Sequence, residues 1–383
     1  MNSIYRGFLL ALASVSLLAS TAQASIPDAP AIRAASWALL DFQTGEVLAQ
    51  SNADARVEPA SITKVLTTYI VFDEIKKGRV KLDDMAFISE KAWKQGIDSS
   101  ESRMFLDVGS RVKVEDLLHG VITQSGNDAS VALAEHVAGG EAAFADLMNQ
   151  YAAKLGMKQS HFMNAPGMPD PEHYTTAHDV ALLGHALIRD FPDYYKWFAL
   201  PDFTYNGIKQ GNRNIMLTMD RSVDGIKTGH TAAAGYCLLS SAQRDGRRLV
   251  AAVMGTESQK YRAEASLELL NWGFRFYESV KLLGADQPSG TVRVWKGLVD
   301  EVSVGTLAPV WLSLPRGSAE KVEAKPQIDG TLIAPLSQGQ QVGTISILVD
   351  GKPVKSEPLV VLKAVESGSW WKRLIDTIRL WFA

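Results

Sequence analysis

Disulfide bonding is excluded at the outset, because the 383-residue chain has one cysteine, Cys237, and no intrachain bridge can form even in an oxidising compartment. Stability has to come from buried apolar surface. Cys237 sits in the apolar stretch "GYCLLSSA", the setting of a packed thiol and not of a reactive one. A basic surplus is also missing. Lys and Arg number 39 against 42 Asp and Glu, a net charge of −3 with no arginine-rich run, so the chain lacks what a phosphate backbone requires and no nucleic-acid partner is expected. The seven histidines, His119, His136, His161, His173, His178, His185 and His230, form no H-E-x-x-H and no short zinc-spaced pair. Neither a metal nor another cofactor is expected.

With 46% hydrophobic and 21% charged residues, the composition is globular and the length suits two domains. Residues 1–24 carry Arg6, an apolar run from Phe8 to Leu18, and Ala22 and Ala24 before Ser25, the pattern of a cleaved secretory signal peptide. The run is shorter than the roughly 20 residues a spanning helix needs. "ASWALLDFQTGEVLAQSN" predicts a hairpin with strands at Ser36–Asp41 and 46–50, and "EPASITKVLTTYIVFDEIKKG" predicts a mostly buried helix stopped by Gly78. A mainly helical stretch follows from about Val80 to Asp190. Strand patterns return at "VDGIKTGH", "AGYCLLSSAQ" and "RRLVAAVMGT", and a helix closes the unit from about Tyr261 to Glu278. That order implies an α/β (α+β) unit with an antiparallel sheet whose first and last segments pair. From Thr291 short alternating runs and an Asp350-Gly351 turn predict a small all-β domain. The predicted domains are 1–24 signal peptide, 25–286 catalytic, 287–364 all-β, and 365–383 linker and amphipathic helix.

Ser61 and Lys64 stand three apart at the start of the predicted helix. That spacing alone is weak, since S-x-x-K recurs at Ser110, Ser318 and Ser369. Two further motifs occur once each: "SGN" at Ser125-Gly126-Asn127, and "KTGHT" from Lys227. In this order the three match the set S-x-x-K, S-x-N and K-T-G shared by class A β-lactamases and penicillin-binding proteins.

Through "PASITK", "SGNDAS", "DGIKTGHT" with "AGY", and "NWGFRFYE", nearly the whole chain resembles the low-molecular-mass penicillin-binding proteins, serine D-alanyl-D-alanine carboxypeptidases that trim peptidoglycan. The resemblance implies the penicillin-recognising serine-transferase fold, a stem peptide ending in D-Ala-D-Ala as substrate, acylation by β-lactams, and a location on the periplasmic face of the bacterial inner membrane. An alcohol is a poor nucleophile until a base takes its proton, and a lysine with an ordinary pKa of about 10.4 is almost wholly charged at neutral pH. Burial and a second cation depress that pKa, and Lys227 is the natural second cation. The implied roles follow. Ser61 attacks, Lys64 is the general base, and Ser125 relays the proton to the departing amine. Asn127 holds either the substrate amide or Lys64. Backbone N–H groups of Ser61 and about His230 form the oxyanion hole. Lys227, Thr228 and Gly229 form the strand motif that meets the substrate carboxylate, and His230 shapes the cleft. Arg213 and Arg262 either support the carboxylate site or make ordinary ion pairs.

Two other functions remain open at this point, a class A-like β-lactamase and a non-catalytic peptidoglycan-binding protein. Class A enzymes activate water with a glutamate-bearing loop, whereas "FMNAPGMPDPEHYTTAHDV" follows the carboxypeptidase pattern and carries only Glu172. The tail "SGSWWKRLIDTIRLWFA" gathers Trp370, Trp371, Leu374, Ile375, Ile378, Trp381 and Phe382 on one helical face against Lys372, Arg373, Asp376 and Arg379. It is too short to span and reads as an in-plane membrane anchor, preceded by a flexible linker.

Overall fold

A computed structural model of the chain describes residues 26–95, 97 and 101–382. The expected signal peptide lies outside the described residues. Strand β1 (Ser36–Asp41) turns into β2 (Val47–Ser51), and β3 (Val223–Thr231), β4 (Gly235–Arg244) and β5 (Arg247–Thr256) complete a sheet of order β2-β1-β5-β4-β3. β1 runs antiparallel to β5, with Ser36 opposite Met254 and Asp41 opposite Leu249. The first and last strands of the unit therefore close one sheet, as the element order predicts.

Both faces of that sheet are covered, which explains why β1 and β5 read as continuous apolar runs. Side chains alternate across a strand. Ala38, Leu40, Val250 and Ala252 enter one core with helices α1 (Thr63–Lys76), α2 (Asn127–Ala138) and α3 (Ala177–Asp190). Leu39, Leu249, Ala251 and Val253 enter the other, under α4 (Gln259–Phe276). Helix α1 is buried nearly all round, from Thr63 to Phe72. The region from Val80 onward is not purely helical: Met85–Phe87 pairs with Arg111–Lys113, and Asp202–Tyr205 pairs with Ile208–Gly211. Strands of three and four residues are too short for their alternation to stand out.

Beyond α4 the chain enters β6 (Tyr277–Leu283) without a break, ahead of the domain start expected at residue 287 and the change in texture at Thr291. Strands β7 (Pro288–Trp295), β8 (Glu301–Gly305), β9 (Val310–Pro315), β10 (Val322–Ile328), β11 (Leu332–Ile333), β12 (Gln341–Val349) and β13 (Lys352–Val361) follow. They form a pair, β6-β9, and a six-stranded sheet of order β10-β12-β13-β8-β7-β11. Buried Asp41 ties the two regions together. It pairs with Arg247 at 3.0 Å, and the same guanidinium donates to Ser279 Oγ at 2.7 Å and the Tyr277 carbonyl at 2.6 Å.

Residues 365–368, expected as a flexible linker, are held by the β domain. Val365 exchanges backbone hydrogen bonds with Leu336, Leu298 N–H donates to the Glu366 carbonyl at 2.8 Å, and Gly368 N–H donates to the Lys296 carbonyl at 2.8 Å. Composition suggests flexibility here, but backbone pairing carries no side-chain signature. Helix α5 (Trp370–Leu380) follows, capped by Ser369.

Candidate active site

Ser61 sits in a single 3-10 turn, Ala60–Ile62, that leads into α1, one step ahead of the helix proper. Ala60 is in the left-handed region at φ 47°, a conformation that costs an alanine roughly 1–2 kcal/mol. The surroundings over-determine it. Gly167, at φ +84°, passes so close that a Cβ there would stand 1.9 Å from the Ala60 carbonyl oxygen. On the other side a Cβ on Gly229 of β3 would stand 2.9 Å from the Pro59 carbonyl oxygen. Only glycines let the loop and the strand close on the serine turn.

One helical turn after Ser61, Lys64 is fully buried and its Nζ meets three partners: Ser61 Oγ at 2.9 Å, Asn127 Oδ1 at 2.7 Å and the Pro166 carbonyl at 2.6 Å. Two of these can only accept. A neutral amine has two N–H groups and one lone pair, so Asn127 and Pro166 take both hydrogens and the lone pair is left for the Ser61 hydroxyl. Burial lowers the Lys64 pKa to about 7, with Glu101 and Asp128 opposing and Arg213 reinforcing the shift. Asn127 donates its amide to Glu101 Oε2 at 3.0 Å, so of its two expected tasks the geometry shows the one of holding Lys64.

Ser125 projects from a left-handed residue, φ 62°, between a π-helical turn at Gly120–Gln124 and α2. Its hydroxyl accepts from Lys227 Nζ at 2.9 Å, and the same amine donates to the Thr228 carbonyl at 3.1 Å. Lys227 lies deep in the same site, and its amine and that of Lys64 act on each other. Burial, then the charges of Lys64, Arg213 and Arg262, push its pKa well below the ordinary lysine value. Arg213 adds its positive charge at both lysines.

Ser61, Ser125, Asn127, Arg213, Thr228, Gly229, His230 and Arg262 line one cleft of about 800 Å³. Arg262 is buried, donates to the Gly229 carbonyl at 3.1 Å, and is no surface ion pair; burial lowers its pKa to about 10. Arg213 donates to the Gln124 carbonyl at 3.3 Å. The His230 ring lies 4.1 Å from that of Tyr236, itself on the cleft wall. The two arginines on the cleft wall, with Lys227 buried behind it, fit an anionic substrate group.

Sequence reasoning missed the Pro166 carbonyl, Glu101 and the support beneath the lysine. Thr63 Oγ1 meets His173 Nε2 at 2.9 Å, and Thr67 donates to the Ala165 carbonyl at 2.8 Å, fixing the loop that bears Pro166. "NAPG" was the available signal, a turn sequence inside the loop. Glu172 is exposed, and the lining residues of the cleft do not include it. Of the competing S-x-x-K serines, Ser110 donates to the Asp107 carbonyl and Ser369 caps α5.

Comparison with known proteins gives a consistent result. Residues 22–258 match the D-alanyl-D-alanine carboxypeptidase family, and residues 277–367 match the penicillin-binding protein 5 C-terminal domain. The chain is 41% identical to the D-alanyl-D-alanine carboxypeptidase DacC of Escherichia coli K12, over 100% of this chain and 97% of the relative. Penicillin-binding protein 5 of Haemophilus influenzae superposes with a TM-score of 0.85 at 40% identity, covering 89% of this chain and 100% of that one. Penicillin-binding protein D2 of Listeria monocytogenes, solved with cefotaxime bound, gives 0.59 at 28% identity over 65% of this chain and 99% of its own.

Proposed function

Because this chain belongs to the D-alanyl-D-alanine carboxypeptidase family, we propose that it removes the terminal D-alanine of peptidoglycan stem pentapeptides through an acyl-enzyme on Ser61, and that β-lactams acylate the same oxygen. The observation that carries this reading is Lys64 Nζ, 2.9 Å from Ser61 Oγ and bonded to two obligate acceptors. Neutral Lys64 takes the Ser61 proton as Oγ attacks the penultimate carbonyl. The oxyanion forms between the backbone N–H groups of Ser61 and His230, where Gly229 lets β3 approach the serine turn. Ser125, hydrogen-bonded to Lys227, delivers a proton to the departing D-alanine amine. Water then hydrolyses the ester. The β-lactamase reading has no cleft-lining counterpart in Glu172 to support it.

The substrate carboxylate meets Lys227, Thr228, Arg213 and Arg262. Burial holds the Lys227 amine well below the ordinary lysine pKa, and an arriving carboxylate raises it and favours the charged form. Lys227→Ala is therefore expected to lower kcat/KM on a free-acid pentapeptide by about 100-fold or more, given 2–5 kcal/mol for a truncated buried charge pair. A C-terminally amidated peptide, poor with either enzyme, is expected to show a much smaller difference. Equal losses on both would assign Lys227 to the proton relay alone.

No helix among the described residues is long and apolar enough to cross a membrane. Helix α5 instead lies in the plane of a lipid surface on the periplasmic side. Trp370 at 64%, Trp371 at 67%, Trp381 at 77% and Phe382 at 87% are exposed, the reverse of a helix packed on its own core. Deleting residues 369–383 is expected to move the protein from the membrane to the soluble fraction with pentapeptide cleavage intact. Membrane retention of the shortened chain would contradict this.

A further inference from the structure

The geometry points to a second lipid contact in the β domain, the turn at Lys296–Asp300 between β7 and β8, which is held against α5 and meets the same bilayer. This inference rests on reading α5 as the anchor and extends that surface from the tail to the domain. Helix α5 docks by its polar edge. Asp376, its one buried residue, accepts from the Lys296 N–H at 2.8 Å, and Lys372 pairs with Asp300. At 3.6 residues per turn Asp376 lies nearly opposite Leu374 and Ile378, so docking turns the apolar face outward. The turn is pinned from its other side by residues 366–368, through the Leu298–Glu366 and Gly368–Lys296 backbone bonds.

At the tip of this pinned turn stand two adjacent aliphatic side chains, Leu298 at 67% and Val299 at 48% exposure. They stand on the segment that holds α5, where the seven apolar side chains of the tail are exposed as well, and exposed apolar groups gathered at one end of a domain mark an interaction site. Its charge selects the occupant. Arg293, Lys296, Lys372, Arg373 and Arg379 on the turn, β7 and α5 outnumber the nearby Asp300, Glu301, Glu366 and Asp376, two of which Lys372 and the Lys296 N–H already engage, and a basic excess beside apolar side chains suits a bilayer containing anionic phospholipid. With Asp376 as latch, the β domain and its anchor bind as one body, and the domain is held at a set angle to the lipid.

The test uses the full chain and vesicles of phosphatidylethanolamine and phosphatidylglycerol. A polarity-sensitive dye is placed on Leu298→Cys or, separately, on Ile375→Cys; the native Cys237 is buried. Both dyes are expected to shift to the blue on vesicle binding and to be quenched by brominated lipid. L298D/V299D is expected to weaken vesicle binding about tenfold while hydrolysis of soluble pentapeptide is unchanged. Asp376→Ala should leave the dye at residue 375 quenched and at least halve the quenching at residue 298. A water-like dye at residue 298 beside a quenched one at 375 overturns this inference and leaves the tail anchor standing. An unquenched dye at residue 375 overturns both. A shift at residue 298 that follows protein concentration without vesicles would assign the turn to a second copy of the chain, also against the inference.

Discussion

Lys64→Met and Lys64→Arg are both expected to lower the rate of acylation by a labelled penicillin by about 10²–10⁴, the usual contribution of a positioned general base. The two substitutions fail for different reasons. Methionine has no lone pair basic enough to take the Ser61 proton. Arginine keeps donors for Asn127 Oδ1 and the Pro166 carbonyl but stays charged at any accessible pH. In the unsubstituted enzyme the base is the neutral amine, and its pKa is about 7. Protonated Lys64 cannot accept a proton, so acylation should rise with pH through about 7 and level off above it, falling nearly tenfold per unit on the acid side. Stopped-flow acylation between about pH 5.5 and 8.5 reads this profile. A flat profile, or an active Lys64→Arg enzyme of normal melting temperature, would remove Lys64 from the role of base.

The second large effect lies in a glycine with no chemistry of its own. Gly167→Ala places a methyl group 1.9 Å from the Ala60 carbonyl oxygen and at φ +84°, so it pays both the left-handed penalty and an overlap with backbone. About 2–5 kcal/mol of stability should be lost, from roughly 1–2 for the conformation and 1–3 for the overpacking. Gly45→Ala is the control, since Gly45 has φ +73° with nothing within 4 Å, and should lose only the first part. Acylation should also fall in Gly167→Ala and not in Gly45→Ala, because the displaced loop carries the Pro166 carbonyl that orders Lys64. Thermal melting with penicillin labelling of both variants checks this. Equal melting shifts with normal labelling would contradict the clamp around the serine turn.

The parts of the site legible in the sequence were those in which a side chain announces itself. Ser61, Lys64, Ser125, Asn127 and Lys227 were marked by three motifs in order and the resemblance they carry, and direct hydrogen bonds join Ser61, Lys64 and Asn127 in one group and Ser125 and Lys227 in another. The main sheet was legible because two covered faces make long apolar strands. What stayed hidden is carried by backbone or by burial. The Pro166 carbonyl could have belonged to any residue type. The lowered pKa of Lys227 depends on how deeply β3 buries it and on Lys64, Arg213 and Arg262 arriving from elsewhere in the chain. Residues 365–368 have the composition of a linker and the hydrogen bonds of an edge strand. In α5, Asp376 looked like one of four polar-face residues, and only its partner, the Lys296 N–H, distinguishes it.

The central claim is that one oxygen, Ser61 Oγ, carries both the peptide chemistry and the antibiotic adduct. Its most direct test is to incubate the full chain and Ser61→Ala with a labelled penicillin, locate the adduct by mass spectrometry of the peptides, and assay D-alanine release from a stem pentapeptide in parallel. The account predicts one adduct, on the peptide containing Ser61, with both labelling and D-alanine release lost in Ser61→Ala. An adduct on another serine, or D-alanine release that survives Ser61→Ala, would contradict it.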